Sequence, residues 1–296
     1  MIAFLIPLAA LAEDNPWVPA FSAFGGVLTQ KVDATATSNA TGRQAQGDVE
    51  MTYPLVGFSA ELMTPHLPVP GLPALFLHGD VALSFSSAYY PATEGSPGNP
   101  GFYEVAVDVG YPPEQFKPQD LNGTGTQVGA EPESLEISAG VGIAFEMKLW
   151  DRTLRLRPSF EYRREQISYE FVLSNGVTYN PPICGATPDA SLFLNGCGLA
   201  SLSAGAKKTF HSIGPGFEVE MDTARTGPLM LSLYVSAQAY RVLGSRNATI
   251  EMSGAYDPPP PEGSPANGTI NATATIEHEP WNYRGLVGLR FRWLPE

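Results

Sequence analysis

The segment 135–150 alternates without a break, and that period of two excludes most of what a chain can fold into. Leu135, Ile137, Ala139, Val141, Ile143, Phe145, Met147 and Leu149 occupy one set of positions. Glu136, Ser138, Gly140, Gly142, Ala144, Glu146 and Lys148 occupy the other. Successive side chains of a strand point to opposite faces, so this segment is a strand with one apolar face and one small or ionic face. In a soluble sandwich the apolar face lines a core. In a closed sheet set in lipid the pattern is inverted, with the apolar face outward.

Seven further segments alternate in the same way, some less cleanly: 17–30, 49–62, 75–87, 154–162, 212–222, 229–242 and 281–293. Each reaches the roughly 9–11 residues that a tilted strand needs to cross a bilayer. In 49–62 the phase slips near Pro54, where a bulge is expected. The connections sort into two classes. Residues 64–73, 150–152 and 223–228 are short and meet at one end. Residues 31–49, 89–134, 172–205 and 244–280 are long and meet at the other. A barrel with short periplasmic turns and long extracellular loops has this alternation; a sandwich has no reason for it. The expected fold is therefore all-β, an up-and-down antiparallel transmembrane barrel of eight strands. Tyr103–Tyr111, Ile250–Met252 and Ile270–Ile276 alternate as well. They are expected to form hairpins projecting above the membrane, with a ten-strand barrel as the alternative.

Composition agrees. The 30 glycines and 28 prolines would break a helical bundle. No run of eighteen apolar residues follows the first dozen positions, so any crossing must use strands in a closed barrel, which leaves no backbone group unpaired in lipid. Residues 1–12 read as the end of a signal peptide, with Ala10-Leu11-Ala12 as its small-x-small site; a buried first strand or helix is the alternative. Residues 13–296 then form one barrel domain. Export would join Cys184 to Cys197, and closing a loop of that size stabilises by roughly 3 kcal/mol. No metal-ligand spacing and no cofactor motif occurs.

The ionic face holds the candidate site. Glu61, Asp80, Glu146, Lys148, Arg155, Arg157, Glu161, Glu218, Glu220, Asp222, Arg290 and Arg292 are assigned to the inside. An eight-strand barrel is just wide enough for side chains to fill, so opposed arginines and carboxylates are expected to meet across it as a plug. Trp17, Trp150 and Trp293 fall near the short-turn rim and Trp281 near the other, as an aromatic girdle requires. The long loops hold fifteen acids against Lys31, Arg43, Lys117 and Arg246, most of the chain's net charge of −13. Such a field repels nucleic acid and attracts cations.

The last strand, running from Tyr283 to Trp293, resembles the aromatic-ended strand read by the barrel-insertion machinery, and the whole chain resembles the small OmpA- and OmpX-like outer-membrane barrels. Leu294-Pro295-Glu296 after the terminal aromatic departs from that pattern. The resemblance implies a bacterial outer-membrane location, contact with membrane lipid and lipopolysaccharide, and insertion through the last strand; a monomer is expected. It leaves function to the site. The expected function is a non-enzymatic, structural or adhesin-like surface barrel with a plugged lumen, and no catalytic residue. A narrow porin-like channel for small polar or cationic solutes is the alternative. A lipid-A-modifying enzyme is the remote one, since His211 and Ser212, with Glu218 following on the same strand, are adjacent and so point to opposite faces.

Overall fold

The computed structural model describes residues 17–38, 44–64, 73–85, 92–93, 103–105, 122–132, 135–177, 198–255 and 269–294. Among these every regular element is a strand, and all pair antiparallel in one sheet. In chain order they are β1 (Val18–Ser38), β2 (Gln44–Met63), β3 (Ala74–Ser84), β4 (Ala92–Thr93), β5 (Tyr103–Val105), β6 (Asn122–Pro132) and β7 (Leu135–Leu149). There follow β8 (Arg152–Val177), β9 (Gly198–Thr226), β10 (Leu229–Leu243), β11 (Asn247–Ala255), β12 (Thr269–His278) and β13 (Trp281–Trp293). Ile2–Leu11, His66, Cys184 and Cys197 lie outside the described residues.

Strands β1, β2, β3, β7, β8, β9, β10 and β13 close into a ring, because β1 pairs with β2 on one edge and β13 on the other. The ring is staggered. Cα partners lead from Leu28 through Arg284, Gln238, Gly216, Ser159, Gly142, Phe76 and Met63 back to β1 at Val18. One circuit therefore descends ten residues along β1, a shear that goes with strands tilted roughly 35–45° to the axis.

At one end the strands reverse in two residues. Trp150 and Asp151 both have positive φ, 49° and 61°, as a type I′ hairpin turn demands. Gly227 and Pro228 make the other two-residue reversal, between paired Thr226 and Leu229, with positive φ (58°) at Gly227 alone. The bulge expected at Pro54 is absent: β1 and β2 stay in register from Val18↔Met63 to Thr37↔Gln44. Pro54 faces outward on β2, and its carbonyl accepts from Phe85 N just where β3 ends. Its missing N–H therefore costs the ladder one bond only at the last β2–β3 pairing, where β3 is already ending. The register break lies instead between Leu231 and Ser232, where β9 carries an extra residue, Thr223.

The four segments expected as long loops are partly strand. β1 continues to Ser38, β2 starts at Gln44, β8 runs to Val177 and β9 starts at Gly198. β6 lies over β7 and pairs with β8, while β11 and β12 form a hairpin whose β12 pairs with β1. The extra strands stack above the ring and do not widen it, so the ring holds eight strands and not ten. The physical reason for the misreading is that polarity swaps faces partway up each strand. On β1, Phe21 and Val27 are exposed, and the outward series continues as Thr29, Lys31, Asp33, Thr35 and Thr37. Inward, Ser22 and Gln30 give way to Val32, Ala34 and Ala36. β8 behaves alike. Outward, Phe160 and Tyr162 precede Arg164 and Gln166; inward, Glu161, Arg163 and Glu165 precede Ile167, Tyr169, Phe171 and Leu173.

The molecule thus has two tiers built on the same strands. The lower tier is apolar outside and ionic inside, with Phe58 73% exposed and Arg157 enclosed. The upper tier has an ordinary apolar core of Val32, Met51, Ile167, Phe171, Ile250, Ile270 and Ile276 among others. Burying each such side chain contributes about 1.5–3 kcal/mol.

Candidate functional site

The ionic lumen is built by the small-and-charged faces of the strands. Glycines there make room for rings from the next strand. A side chain at Gly142 would lie 2.4 Å from Phe76, and one at Gly57 would lie 2.5 Å from Phe24. The guanidinium of Arg157 in turn sits 4.1 Å over the Phe76 ring.

Near the short-turn end, Glu220 is the hub. It accepts from Arg155 at 3.1 Å, Arg157 at 2.9 Å, Arg290 at 2.5 Å, and Arg292 at 2.6 and 2.9 Å. Asp222 takes Arg155 at 2.5 Å and the Ser232 hydroxyl at 2.8 Å. Glu218 bridges Arg157 and Arg290, both at 2.5 Å, and Glu61 reaches across from β2 to Arg157. Glu146 receives Arg155 Nε at 2.6 Å. Four arginines and the carboxylates they face span the lumen from β2, β7, β8, β9 and β13. Desolvation on this scale is tolerable only because each charge has several partners.

A layer above, His78 Nδ1 lies 3.3 Å from Asp80, which also accepts from Ser138 at 3.0 Å. Glu161 accepts from Ser159 at 2.8 Å and Tyr240 at 2.7 Å. Between these groups is a cavity of about 20 Å³, room for one water. Higher again, Arg163 pairs with Glu136 at 3.0 Å and Glu165 at 2.6 Å, and Arg284 reaches Asp80 at 3.4 Å and Glu136 at 3.5 Å. The Tyr53 hydroxyl donates to Glu165. The apolar core of the upper tier closes the top.

Of the residues expected in the lumen, Lys148 is misplaced. Its side chain is exposed at the short-turn rim and donates to Thr153 Oγ1 at 2.8 Å. Two residues of β7 beyond Glu146 carry it out of the ring, where its ammonium stays hydrated. The other eleven take part in the contacts described above. Glu136, Arg163, Glu165 and Arg284 were missed. The strand expected over 154–162 runs on to Val177, and Glu161, Arg163 and Glu165 continue the same inward face.

The remaining histidines separate. His211 is exposed on the outer face, hydrogen-bonded to Tyr162 Oη at 2.5 Å, while Ser212 is buried inside. The two form no nucleophile–base pair. His278, expected in an outer loop, ends β12 and is buried in the upper tier against Phe210, with Nε2 2.5 Å from Tyr169 Oη. Burial first, then the nearby Lys208, Arg163 and Arg246, hold its pKa down at about 3. Among the described residues no cluster of His, Cys, Asp and Glu has the arrangement of a metal site.

A closed antiparallel sheet with an apolar exterior and an ionic interior is the construction of outer-membrane β-barrels, and the fold is of that class. No protein-family model and no curated relative matches the chain. Among solved structures it is similar to the outer-membrane protease OmpT from Escherichia coli, with 10% identity, 95% of this chain and 97% of that chain covered, and a TM-score of 0.32. A FadL homologue and OpdQ, both from Pseudomonas aeruginosa, follow at 6% and 8% identity. The first covers 95% of this chain and 90% of its own at a TM-score of 0.19; the second covers 92% and 97% at 0.10. These likenesses assign no activity and no residue to the chain. They do correct one expectation: the first of these barrels is a protease, so the reading that this chain is not an enzyme is withdrawn.

Proposed function

We propose that the chain is an integral barrel of the bacterial outer membrane that carries a rigid β-platform above the outer leaflet and passes no solute. The lower tier is the membrane anchor, with the two-residue turns at the periplasmic rim and the upper tier outside the cell. Trp17, Trp150 and Trp293 mark the inner interface, and Trp281 the outer one. On this reading β8 rises roughly 30 Å beyond Arg164, given about 3.3 Å per residue and the barrel tilt. Insertion proceeds through the β13 strand. The platform holds the acidic segments away from the membrane, an arrangement suited to adhesion, shielding or capture of cationic partners.

The observation that carries the proposal is that the lumen is filled twice over, by two ion-pair tiers and then by an apolar core. Planar-bilayer recording of the folded protein tests it. Membranes bearing the protein should show no steady conductance above that of the lipid. Persistent, ohmic openings in neutral salt would refute the sealed lumen and favour a narrow channel.

A further inference from the structure

The outward face changes from apolar to polar at one level on every long strand, and the cations at that level are unevenly shared. On β1 the outward cation is Lys31, and it is neutralised by Asp48 at 3.4 Å and Glu279 at 3.8 Å. Just above β10, Arg246 is neutralised by Glu277 at 2.8 Å. The sector formed by β8, β9 and β10 differs. Arg164, His211 and Arg241 all point outward there, and among the described residues neither arginine has an acidic partner.

His211 on β9 stands between the two arginines on β8 and β10. Arg164 and His211 are direct Cα partners across β8 and β9. Arg241 partners Ile213, two residues below His211 on the same face, and Trp281 on its other side. Direct partners of this kind have Cβ atoms roughly 5 Å apart and diagonal ones about 7–8 Å apart. Tyr162 stacks on the His211 ring, with centroids 5.9 Å apart, and its hydroxyl meets Nδ1, which leaves Nε2 turned away. Immediately below lie Phe160, Ile213 and Phe217, on the face assigned to lipid. An arginine at such an edge lays its alkyl stem along apolar surface and lifts its guanidinium to the headgroups.

In a chain of net charge −13, two unpaired arginines beside a histidine at the edge of the apolar belt are set against the general charge. We infer that Arg164, His211 and Arg241 form a binding site for the phosphate of a phosphorylated lipid of the outer leaflet. A planar guanidinium forks onto phosphate oxygens, the two long side chains stand on either side of His211 and can converge over it on one headgroup, and Tyr162 and Trp281 flank it at the interface. The acyl chains then lie along the apolar face below. A free phosphate ion shares the headgroup chemistry but gains nothing from that face, so the lipid is the occupant. The inference rests on the membrane orientation proposed above.

The full chain, folded into neutral phosphatidylcholine nanodiscs doped with bis-phosphorylated lipid A, tests it by native mass spectrometry of the retained lipid. Arg164→Gln and Arg241→Gln should each reduce retention about fivefold, and the double variant about 25-fold, from the roughly 1 kcal/mol that one basic residue contributes near a charged surface. Lys31→Gln, at the same level but already paired, should leave retention unchanged. Retention equal in the double variant and the parent overturns the site, as does an equal loss in Lys31→Gln. Inorganic phosphate at millimolar concentration displacing the lipid completely would show a free-ion site and overturn the lipid assignment. Heat-modifiable gel mobility is scored on every sample. A chain that lacks the shift, or fails to enter the nanodisc, refutes the barrel reading itself. A chain that enters and retains no lipid A refutes only this site.

Discussion

Glu220→Gln is the sharpest probe of the lumen. Glu220 is fully enclosed and accepts from four guanidinium groups within 3.1 Å. At an effective dielectric of 20 and charge centres about 4 Å apart, each attraction is about 4 kcal/mol, most of it offset by desolvation and by repulsion among the arginines. Losing the charge while keeping the shape takes from Arg292 the carboxylate on which both of its hydrogen bonds end, and breaking a buried pair this way costs about 3–5 kcal/mol. Urea unfolding of the protein folded in detergent micelles should show that loss as a lower midpoint with an unchanged slope. Removing that stranded cation as well, in Glu220→Gln with Arg292→Met, should recover at least half of it, because the guanidinium whose hydrogen bonds ended on Glu220 is gone. A single variant within about 1 kcal/mol of the parent would mean that water already screens these charges, and the plug argument would fail.

Val141→Arg, at mid-height of the apolar exterior, should destabilise the protein by about 2–4 kcal/mol in lipid, while Thr35→Arg on the outward face of the upper tier should stay within about 0.5 kcal/mol; folding titrations in vesicles compare the two. Gly142→Val should cost about 1–3 kcal/mol in the same titration, since the new side chain displaces the Phe76 ring. Asp151→Gly should stabilise by about 1 kcal/mol, because Asp151 now pays for φ 61° in the turn. His278 binds a proton more weakly folded than unfolded, so its contribution is intact above about pH 6.5 and is lost as pH falls toward 3. His278→Phe should therefore flatten the fall in unfolding midpoint between pH 7 and 4, and an unchanged pH profile would exclude His278 as its source.

The membrane-facing half of the fold was legible because lipid imposes one apolar face on every strand, and 135–150 shows it without interruption. The acidic partners of Arg155 and Arg157 were legible too, since a basic strand is followed by an acidic one, and the register sets Arg155 opposite Glu220 and Arg157 opposite Glu218. The upper tier was hidden by its own normality. Asp33, Thr35 and Thr37 on the water side make 31–37 read as a polar loop, although Val32, Ala34 and Ala36 keep the period of two. The same swap hid Arg163 and Glu165, which stand at the height where the inward face turns from ionic to apolar. Arg284 was visible on the inward face of the last strand, but its partners Asp80 and Glu136 come from strands that only closure of the ring brings near.

The exchange of faces at a fixed height underlies the whole account, and spin labels placed one at a time along the outward side of β1 measure it directly. In lipid vesicles, labels at positions 21, 23, 25 and 27 should relax with dissolved oxygen and be shielded from a water-soluble nickel reagent, while labels at 31, 33, 35 and 37 should do the reverse. A gradual change with no crossing near Thr29, or nickel access along the entire series, would contradict it.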